Sequence, residues 1–292
     1  MLVPRTLALL CLALCFSGCA AGLPRVIYHA RHGQTEWNRE ARYQGDPDLD
    51  QVGYINRVSL WQLLKDRPVG AIYVSQRQRT RRTAELVARE HKLPVEERAA
   101  INEIASGIFE GICFSQMAPH LARPADRNCE VKARGSRPEE TLKLIQALFR
   151  EGSRDRIGGR LPQAESYVDV AKRTAEFIEE LRRGHSEREV LVVGHGVVNR
   201  VLLHHLMGWP LELVYQLRQE NDQVFRLEIR QEGARPQLSL YTPGVGWRVC
   251  GDPTRGAKHL DCSPQKPERI TPPDAPMPPP VNPPPATQPT PP

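Results

Sequence analysis

The run Val190-Leu191-Val192-Val193 constrains the fold of this 292-residue chain more than any other feature. Four consecutive apolar residues leave no polar face, which is typical of a strand in a parallel sheet that is covered by helices on both sides. Short apolar strands alternate with helical patterns along the chain, and parallel strands need crossovers of this kind. The sequence therefore predicts an α/β fold, a three-layer α/β/α sandwich with a mainly parallel central sheet.

The predicted elements follow one another in a βαβα order that closes with two further strands. Helical spacing of apolar residues places the helices, and Asp169, three residues after Ser166, gives the pattern of a helix cap. In the first helix, Val58, Trp61 and Leu64 share the predicted inward face. The predicted strands are 25–30, 70–74, 190–193, 223–229 and 237–241, and the predicted helices are 54–64, 79–90, 139–149, one that opens at 166, and 198–207.

A histidine comes just after each of two predicted strands, and a glycine follows each histidine. Arg31-His32-Gly33 ends the first strand, and Gly194-His195-Gly196 follows the run at 190–193. The strand at 70–74 leads into the segment from Ser75 to Arg79. Because ligands bind beyond the carboxyl ends of strands in open α/β sheets, these three segments are expected to form one functional site.

The N-terminus has the pattern of an export signal. A short positive start, Met1 to Arg5, is followed by eleven mostly apolar residues and then by small residues that lead to Cys19. Because about 20 apolar residues are needed to span a bilayer, we predict a signal peptide over 1–18 rather than a transmembrane anchor.

The end of this signal resembles a bacterial lipobox. That resemblance implies that Cys19 becomes the first mature residue and carries lipid, with 19–24 as a tether to a membrane on the periplasmic or outer side. An ordinary secretory signal, cleaved near Ala21, is the alternative.

Proline is concentrated at the other end of the chain, where 14 of the 27 prolines lie within 264–292. This composition predicts an extended, disordered tail without a core, either a spacer or a contact with the cell wall or a protein. The predicted domain covers 25–248, and 249–263 is its exit segment. The net charge of +6 is modest over this length, and no motif assigns the basic residues to nucleic acid, so we expect no nucleic-acid partner.

Cysteine usage agrees with export. Three of the seven cysteines belong to the signal or end it, and the remaining four are an even number, as expected for two disulfides in an oxidising compartment. Local pairing predicts that Cys113 bonds Cys129 and that Cys250 bonds Cys262. None of the four has the spacing of metal ligands, so a zinc site is not expected.

The segment from Arg31 to Asn38, with the sequence RHGQTEWN, is the most specific motif in the chain. It resembles the signature of the histidine phosphatase superfamily, in the branch that contains phosphoglycerate mutases and many phosphatases. Further segments match the family in the same order, so the resemblance spans about residues 25 to 208. They are 43–45 (YQG) with Leu49 and Gly53, 75–84, 103–111, and 193–196 (VGHG).

The resemblance implies a phosphomonoester hydrolase that needs neither metal nor cofactor and acts on a small phosphate ester. His32 would attack phosphorus as a neutral imidazole and form a phosphohistidine, its other ring nitrogen held by a backbone carbonyl in the turn at Gly33. Glu103 would be the general acid and then the general base. Glu110 is its competitor within the same loop, and only the family spacing decides between them.

A phosphate ester carries negative charge that repels a nucleophile, so the site must neutralise it. Arg31 and Arg79 would bind the phosphoryl oxygens, and His195 would donate to them, best in its charged form. Arg79 would lie in the first turn of its helix, where free N–H groups add to the positive field. The implied phosphate-binding set is completed by Asn38, Gln44, Gly45 and Gly196.

Other functions fit parts of the pattern. A phosphoglycerate mutase-type phosphotransferase would use the same residues, but its segment after the acidic loop is basic, whereas 112–123 here is mostly apolar. A non-catalytic phosphate-binding envelope lipoprotein would keep the pocket without turnover. A structural envelope protein would depend chiefly on the proline-rich tail.

Overall fold

The fold is built on one seven-stranded sheet. The computed structural model describes residues 23–114, 139–152, 155, 157–184, 188–230, 234–252, 254 and 262. The predicted signal and tether (1–18, Cys19 and most of 19–24) and the tail at 264–292 lie outside these ranges. Within them, no helix combines the length and apolar composition needed to cross a bilayer.

The sheet has the order β3-β2-β4-β1-β5-β6-β7. Strands β1 to β4 are mutually parallel, whereas β5, β6 and β7 join by antiparallel pairings. The α/β fold and the largely parallel sheet predicted from the sequence are therefore confirmed. The strands are β1 (Val26–Arg31), β2 (Val69–Val74), β3 (Glu96–Glu97), β4 (Glu189–Gly194), β5 (Val224–Glu228), β6 (Gln237–Thr242) and β7 (Gly246–Val249).

Helices cover both faces of the sheet. One face packs α2 and α3 over β1, β2 and β4 in a core that includes Leu64, Ile72 and Val87. The other packs α5 and α6 in a larger core around Phe177 and Leu202. The helices are α1 (Glu36–Arg39), α2 (Gln51–Leu64), α3 (Gln78–His91), α4 (Glu139–Gly152), α5 (Tyr167–Gly184) and α6 (Gly196–Met207), and short 3-10 turns lie at Ala99–Ile101, Gly107–Phe109 and Leu211–Gln216.

Helix α5 begins where its cap pattern predicts. The backbone N–H and hydroxyl of Ser166 donate to Asp169 Oδ2 at 2.8 and 2.7 Å, and Asp169 N–H donates back to the Ser166 hydroxyl at 3.2 Å. These bonds satisfy amide groups that the first turn of a helix leaves free.

The predicted inward face of α2 is wrong at one position. Leu64 is buried, but Val58 is 39% exposed, and the buried residues of the helix are Gly53, Leu60 and Leu64. Helix α2 turns Gly53 toward Gly33, and a Cβ added to Gly33 would come within 2.6 Å of the Gly53 carbonyl oxygen. This close approach fixes which face of the helix points inward, so helical spacing alone placed Val58 on the wrong face.

Cys250 and Cys262 lie next to each other beyond β7, which agrees with the local pairing, and the disulfide between them stays a prediction. For the other predicted pair, Cys113 and Cys129, Cys129 lies outside the described residues. The sheet has two more strands than the sequence predicts, β3 and β7, one at each edge. Strand β7 runs to Val249, so the predicted boundary at residue 248 falls inside a strand.

Candidate active site

The carboxyl ends of β1, β2 and β4 bring the two motif histidines together. β4 pairs with both β1 and β2, so the three ends lie side by side. The N–H of His32 donates to the Gly194 carbonyl at 3.0 Å. The rings of His32 and His195 have centroids 5.2 Å apart, and both side chains are fully buried.

His32 is held as a neutral imidazole. Its Nδ1 lies 2.8 Å from the Gly33 carbonyl oxygen, which can only accept, so Nδ1 carries the proton. Its Nε2 is buried and has no hydrogen-bond partner. Burial first, and then the charges of Arg79 and Arg31, hold the pKa of His32 well below its ordinary value of 6.5. An unprotonated Nε2 is therefore available to an electrophile.

Arg79 lies in the first turn of α3, as predicted, and is fully buried. Its Nη1 donates to the Gly45 carbonyl at 2.6 Å, and its Nη2 lies 3.2 Å from His195 Nδ1. The carboxylate of Asp46, at 3.6 Å, is a partly exposed counter-charge. Burial lowers the pKa of Arg79 to about 10, so the guanidinium stays positive at neutral pH.

His195 is a neutral imidazole in the free site. Because Arg79 can only donate, His195 Nδ1 accepts from it, and Nε2–H donates to the Ser75 hydroxyl at 2.8 Å. Burial and the neighbouring Arg79 hold the pKa of His195 well below 6.5. In the free site both ring nitrogens of His195 are therefore engaged in the neutral form, whereas the predicted charged donor concerns a site that holds phosphate and stays a prediction.

Ser75 was part of the matched motif but had no predicted role. Its hydroxyl also lies 2.9 Å from the Thr80 hydroxyl and accepts from the Arg77 N–H at 3.2 Å. These bonds fix the turn between β2 and α3, which carries Arg79. Two sequence signals point to Ser75, its position directly after a strand and its place at the start of the matching segment 75–84.

Arg31 reaches the site from the end of β1. Its Nη1 donates to the Gln219 carbonyl at 2.9 Å, and its Nε is buried without a partner. An added Cβ on Gly196 would lie 3.6 Å from the Arg31 guanidinium carbon, so Gly196 at the start of α6 faces this cation.

Glu103 lies near His195, and Glu110 lies against Gly45. Glu103 Oε2 is 4.0 Å from His195 Nδ1, and the side chain is 14% exposed at the cavity wall. The carboxylate of Glu110 instead lies against Gly45, where an added Cβ would come within 2.1 Å of Oε1. The geometry favours the carboxyl group that the family spacing indicates.

The remaining predicted phosphate ligands surround the cavity in different ways. Asn38 Oδ1 accepts from the Thr35 N–H at 3.1 Å, which caps α1 and leaves the Asn38 NH2 group as a donor. Gln44 donates to the Arg42 carbonyl at 3.1 Å and lines the cavity. Gly45 contributes its carbonyl to Arg79, so the structure gives it a supporting contact.

A cavity of about 940 Å³ opens beside these groups. Polar and charged side chains line it, among them Arg31, Glu103 and Arg200. Apolar and aromatic side chains also line it, and one of them, Phe114, is 46% exposed. The larger apolar and aromatic residues are Tyr43, Ile104, Phe114, Phe149, Leu161, Tyr167, Val197 and Leu217. The volume accommodates an organic group in addition to a phosphate.

His32, His195 and Arg79 cluster at the strand ends, and Arg31 and Gly196, at the start of α6, line the adjacent cavity. Neutral imidazoles, guanidinium groups and a helix N-terminus are the groups that phosphoryl transfer requires. The sequence model of the histidine phosphatase superfamily (branch 1) matches residues 27–141 and 131–241. The chain therefore belongs to that superfamily.

Curated relatives share about 30% of their residues with the chain. The 6-phosphofructo-2-kinase/fructose-2,6-bisphosphatase 4 of Rattus norvegicus is 30% identical over 191 residues, which are 65% of this chain and 34% of the relative. The 6-phosphofructo-2-kinase/fructose-2,6-bisphosphatase 1 of Bos taurus is 30% identical over 186 residues, which are 63% of this chain and 33% of the relative. The chain thus spans about a third of the length of these relatives.

Solved structures share the fold. A putative α-ribazole-5'-P phosphatase from Escherichia coli has a TM-score of 0.60 at 22% identity, covering 73% of this chain and 94% of the other. A mycobacterial glucosyl-3-phosphoglycerate phosphatase, in complex with VO3, has a TM-score of 0.55 at 22% identity, covering 77% and 97%.

Proposed function

We propose that this protein is a phosphomonoester hydrolase that works through a phosphohistidine on His32. The observation that carries the proposal is His32 itself, a neutral buried imidazole with one nitrogen fixed by the Gly33 carbonyl and the other without a partner. Its neighbours Arg31 and Arg79 offset the negative charge of the phosphoryl oxygens, and they do not protonate the His32 ring.

In the first half-reaction His32 Nε2 attacks phosphorus and the ester P–O bond breaks. Glu103, in its protonated form, gives its proton to the departing alcohol oxygen. In the second half-reaction Glu103 takes a proton from water as the water oxygen attacks phosphorus and the P–N bond breaks. The products are an alcohol and inorganic phosphate, and both His32 and Glu103 return to their initial states.

His195 is a second adjustable group in this sequence. A phosphate dianion next to the ring would raise the pKa of His195, because an opposite charge favours the protonated form. Its Nδ1 could then donate to a phosphoryl oxygen rather than accept from Arg79. The charged donor that the sequence suggested thus belongs to the ligand-bound state.

Hydrolysis is favoured over mutase activity by the segment after the acidic loop, because 112–123 is mostly apolar. The cavity does not separate the two activities, since Arg42, Arg200 and Arg218 line it and can pair with a substrate carboxylate. The substrate class we propose is a small-molecule phosphate ester.

Replacement of His32 by Ala is expected to reduce turnover of p-nitrophenyl phosphate at least about a thousandfold, because no other group can form the covalent intermediate. The matched control is His29→Leu, which alters a fully buried histidine of the same strand outside the site and should leave turnover nearly unchanged. Rapid quenching into alkali should trap phosphate on His32 of the wild-type protein. A tenth of the wild-type rate in His32→Ala would end the assignment.

An isotope experiment identifies the acceptor of the phosphoryl group. Hydrolysis in water enriched in oxygen-18 should place the label in released phosphate. An isomerised ester without labelled phosphate would instead establish a phosphotransferase. Phosphate binding without any turnover would establish a binding protein.

We also propose that the protein is exported and held at a membrane by lipid on Cys19. The short apolar run before Cys19 supports this location. Replacement of Cys19 by Ser should move the protein from the membrane fraction to the soluble fraction of its native type of cell. An unchanged distribution would contradict the lipid anchor. The proline-rich tail is proposed as a spacer or wall contact.

A further inference from the structure

Two buried amide side chains outside the motifs, Asn199 and Gln219, meet behind Arg31. Asn199 is fully buried on α6, and Gln219 is 5% exposed in the segment before β5. Asn199 Nδ2 donates to Gln219 Oε1 at 2.9 Å and to the Ala30 carbonyl at 3.0 Å. The pair therefore connects a helix, a loop and the end of β1.

Gln219 extends this connection on both sides. Its Nε2 donates to the carbonyls of His29 at 2.7 Å and Gln223 at 3.0 Å. Its own backbone carbonyl accepts from Arg31 Nη1 at 2.9 Å. Gln219, which holds the Arg31 guanidinium, is thus tied to the end of β1 in two ways. It bonds His29 directly, and it is linked to Ala30 through Asn199.

The chemistry of this support is neutral throughout. Carbonyl and amide groups orient a guanidinium without cancelling its charge, whereas a carboxylate in the same place would form an ion pair with it. Arg31 Nε is buried and without a partner, so the cation still has a donor to offer. Asn199 Nδ2, Gln219 Oε1 and Gln219 Nε2 are hydrogen-bonded, and Asn199 Oδ1 has no partner. Burial of amides is costly unless they are bonded, so these three bonded atoms argue against an incidental pair.

We propose that Asn199 and Gln219 are positioning residues that set the Arg31 guanidinium for the phosphoryl group. Asn199 does not line the cavity, whereas Gln219 does. They act through Arg31 by fixing the carbonyl to which it donates. The inference rests on the proposed function only in that Arg31 faces a phosphoryl group.

A double-mutant cycle with a binding readout tests this role. Asn199→Ala and Gln219→Ala should each weaken the binding of orthovanadate and of inorganic phosphate about tenfold, measured by calorimetry, and should have less than a twofold effect when Arg31 is already Ala. Two variants are used because either alone could fail to fold. Equal losses in both backgrounds would overturn the proposal, since a residue acting through Arg31 has nothing to act on once Arg31 is removed.

Thr174→Val is the matched structural control. Thr174 is a fully buried polar residue on α5, and its hydroxyl bonds the Val170 carbonyl at 2.7 Å. The control should lower the melting temperature without altering phosphate affinity. If it weakens phosphate binding as much as Asn199→Ala at the same loss of stability, the positioning role is wrong.

The readout separates this inference from the proposed function. Wild-type protein that binds phosphate but hydrolyses no ester would refute the hydrolase alone, and the cycle could still be completed. Hydrolysis by the wild type with no coupling between Asn199 and Arg31 would refute the positioning role alone. A wild type without measurable affinity for phosphate or orthovanadate would overturn both.

Discussion

The two halves of the sheet differ in what they contribute to the site. The parallel half, β3-β2-β4-β1, ends in His32, Arg79 and His195, because parallel strands bring their carboxyl ends to one edge. The antiparallel half, β5-β6-β7, alternates in direction, and among the described residues the segment before β5, with Gln219 and Asn221, brings it to the site. Asn221 Nδ2 donates to the His32 carbonyl at 2.8 Å. In the proposed reaction the parallel half supplies the reacting groups, and the other half supports them.

The strongest test of the difference between the two halves of the sheet is Glu103, which lies beside the parallel half. Glu103→Gln should lower kcat for an alkyl phosphate by about 10²–10⁴-fold, because an amide cannot protonate the leaving alkoxide. An aryl phosphate, whose leaving group needs less protonation, should lose less. Glu110→Gln is the control and should change kcat less than threefold. Similar losses in the two variants would remove the assignment of Glu103.

A smaller effect is expected in the pH dependence of His32. Because its pKa is lowered, the ring should stay neutral as pH falls through 6.5, where an ordinary histidine is half protonated, and should gain its proton only in more acid solution. At pH 5.5 only about a tenth of an ordinary histidine is in the neutral form, whereas His32 should still be mostly neutral. Nitrogen-15 NMR of the imidazoles, assigned with His32→Gln, measures this. A His32 titration near pH 6.5 would show that the site does not desolvate the ring.

The smallest effect on activity is expected in the antiparallel half. Trp247 of β7 packs against Tyr28 and Tyr241, with ring centroids 6.4 and 5.4 Å apart. Trp247→Ala should cost about 1–3 kcal/mol of stability through lost packing, since the side chain is only partly buried. Its kcat/KM at low temperature should remain within twofold of wild type. A large loss in kcat/KM with the fold intact would mean that the two halves are not separable.

Sequence reasoning succeeded where a functional group lies next to the strand that carries it. His32 and His195 could be placed from their neighbours because a buried strand and a glycine set their position locally. Asn199 and Gln219 could not, because they are distant in sequence and meet only when α6 packs against β1. The charge of His195 depends on burial and on Arg79, neither of which the sequence states. The four residues of β7 were too few to show a period.

The central position of β1 has a consequence for the order of folding. The strand that carries His32 pairs with β4 and β5, as in the contacts of Val26 with Glu189 and Glu228. Such pairing of distant segments is slow, and none of it can form before β4 has been synthesised. A growing chain therefore lacks its candidate active site until late in translation. A protein that must cross a membrane unfolded would gain from this delay, because its N-terminal third cannot form a stable sheet alone.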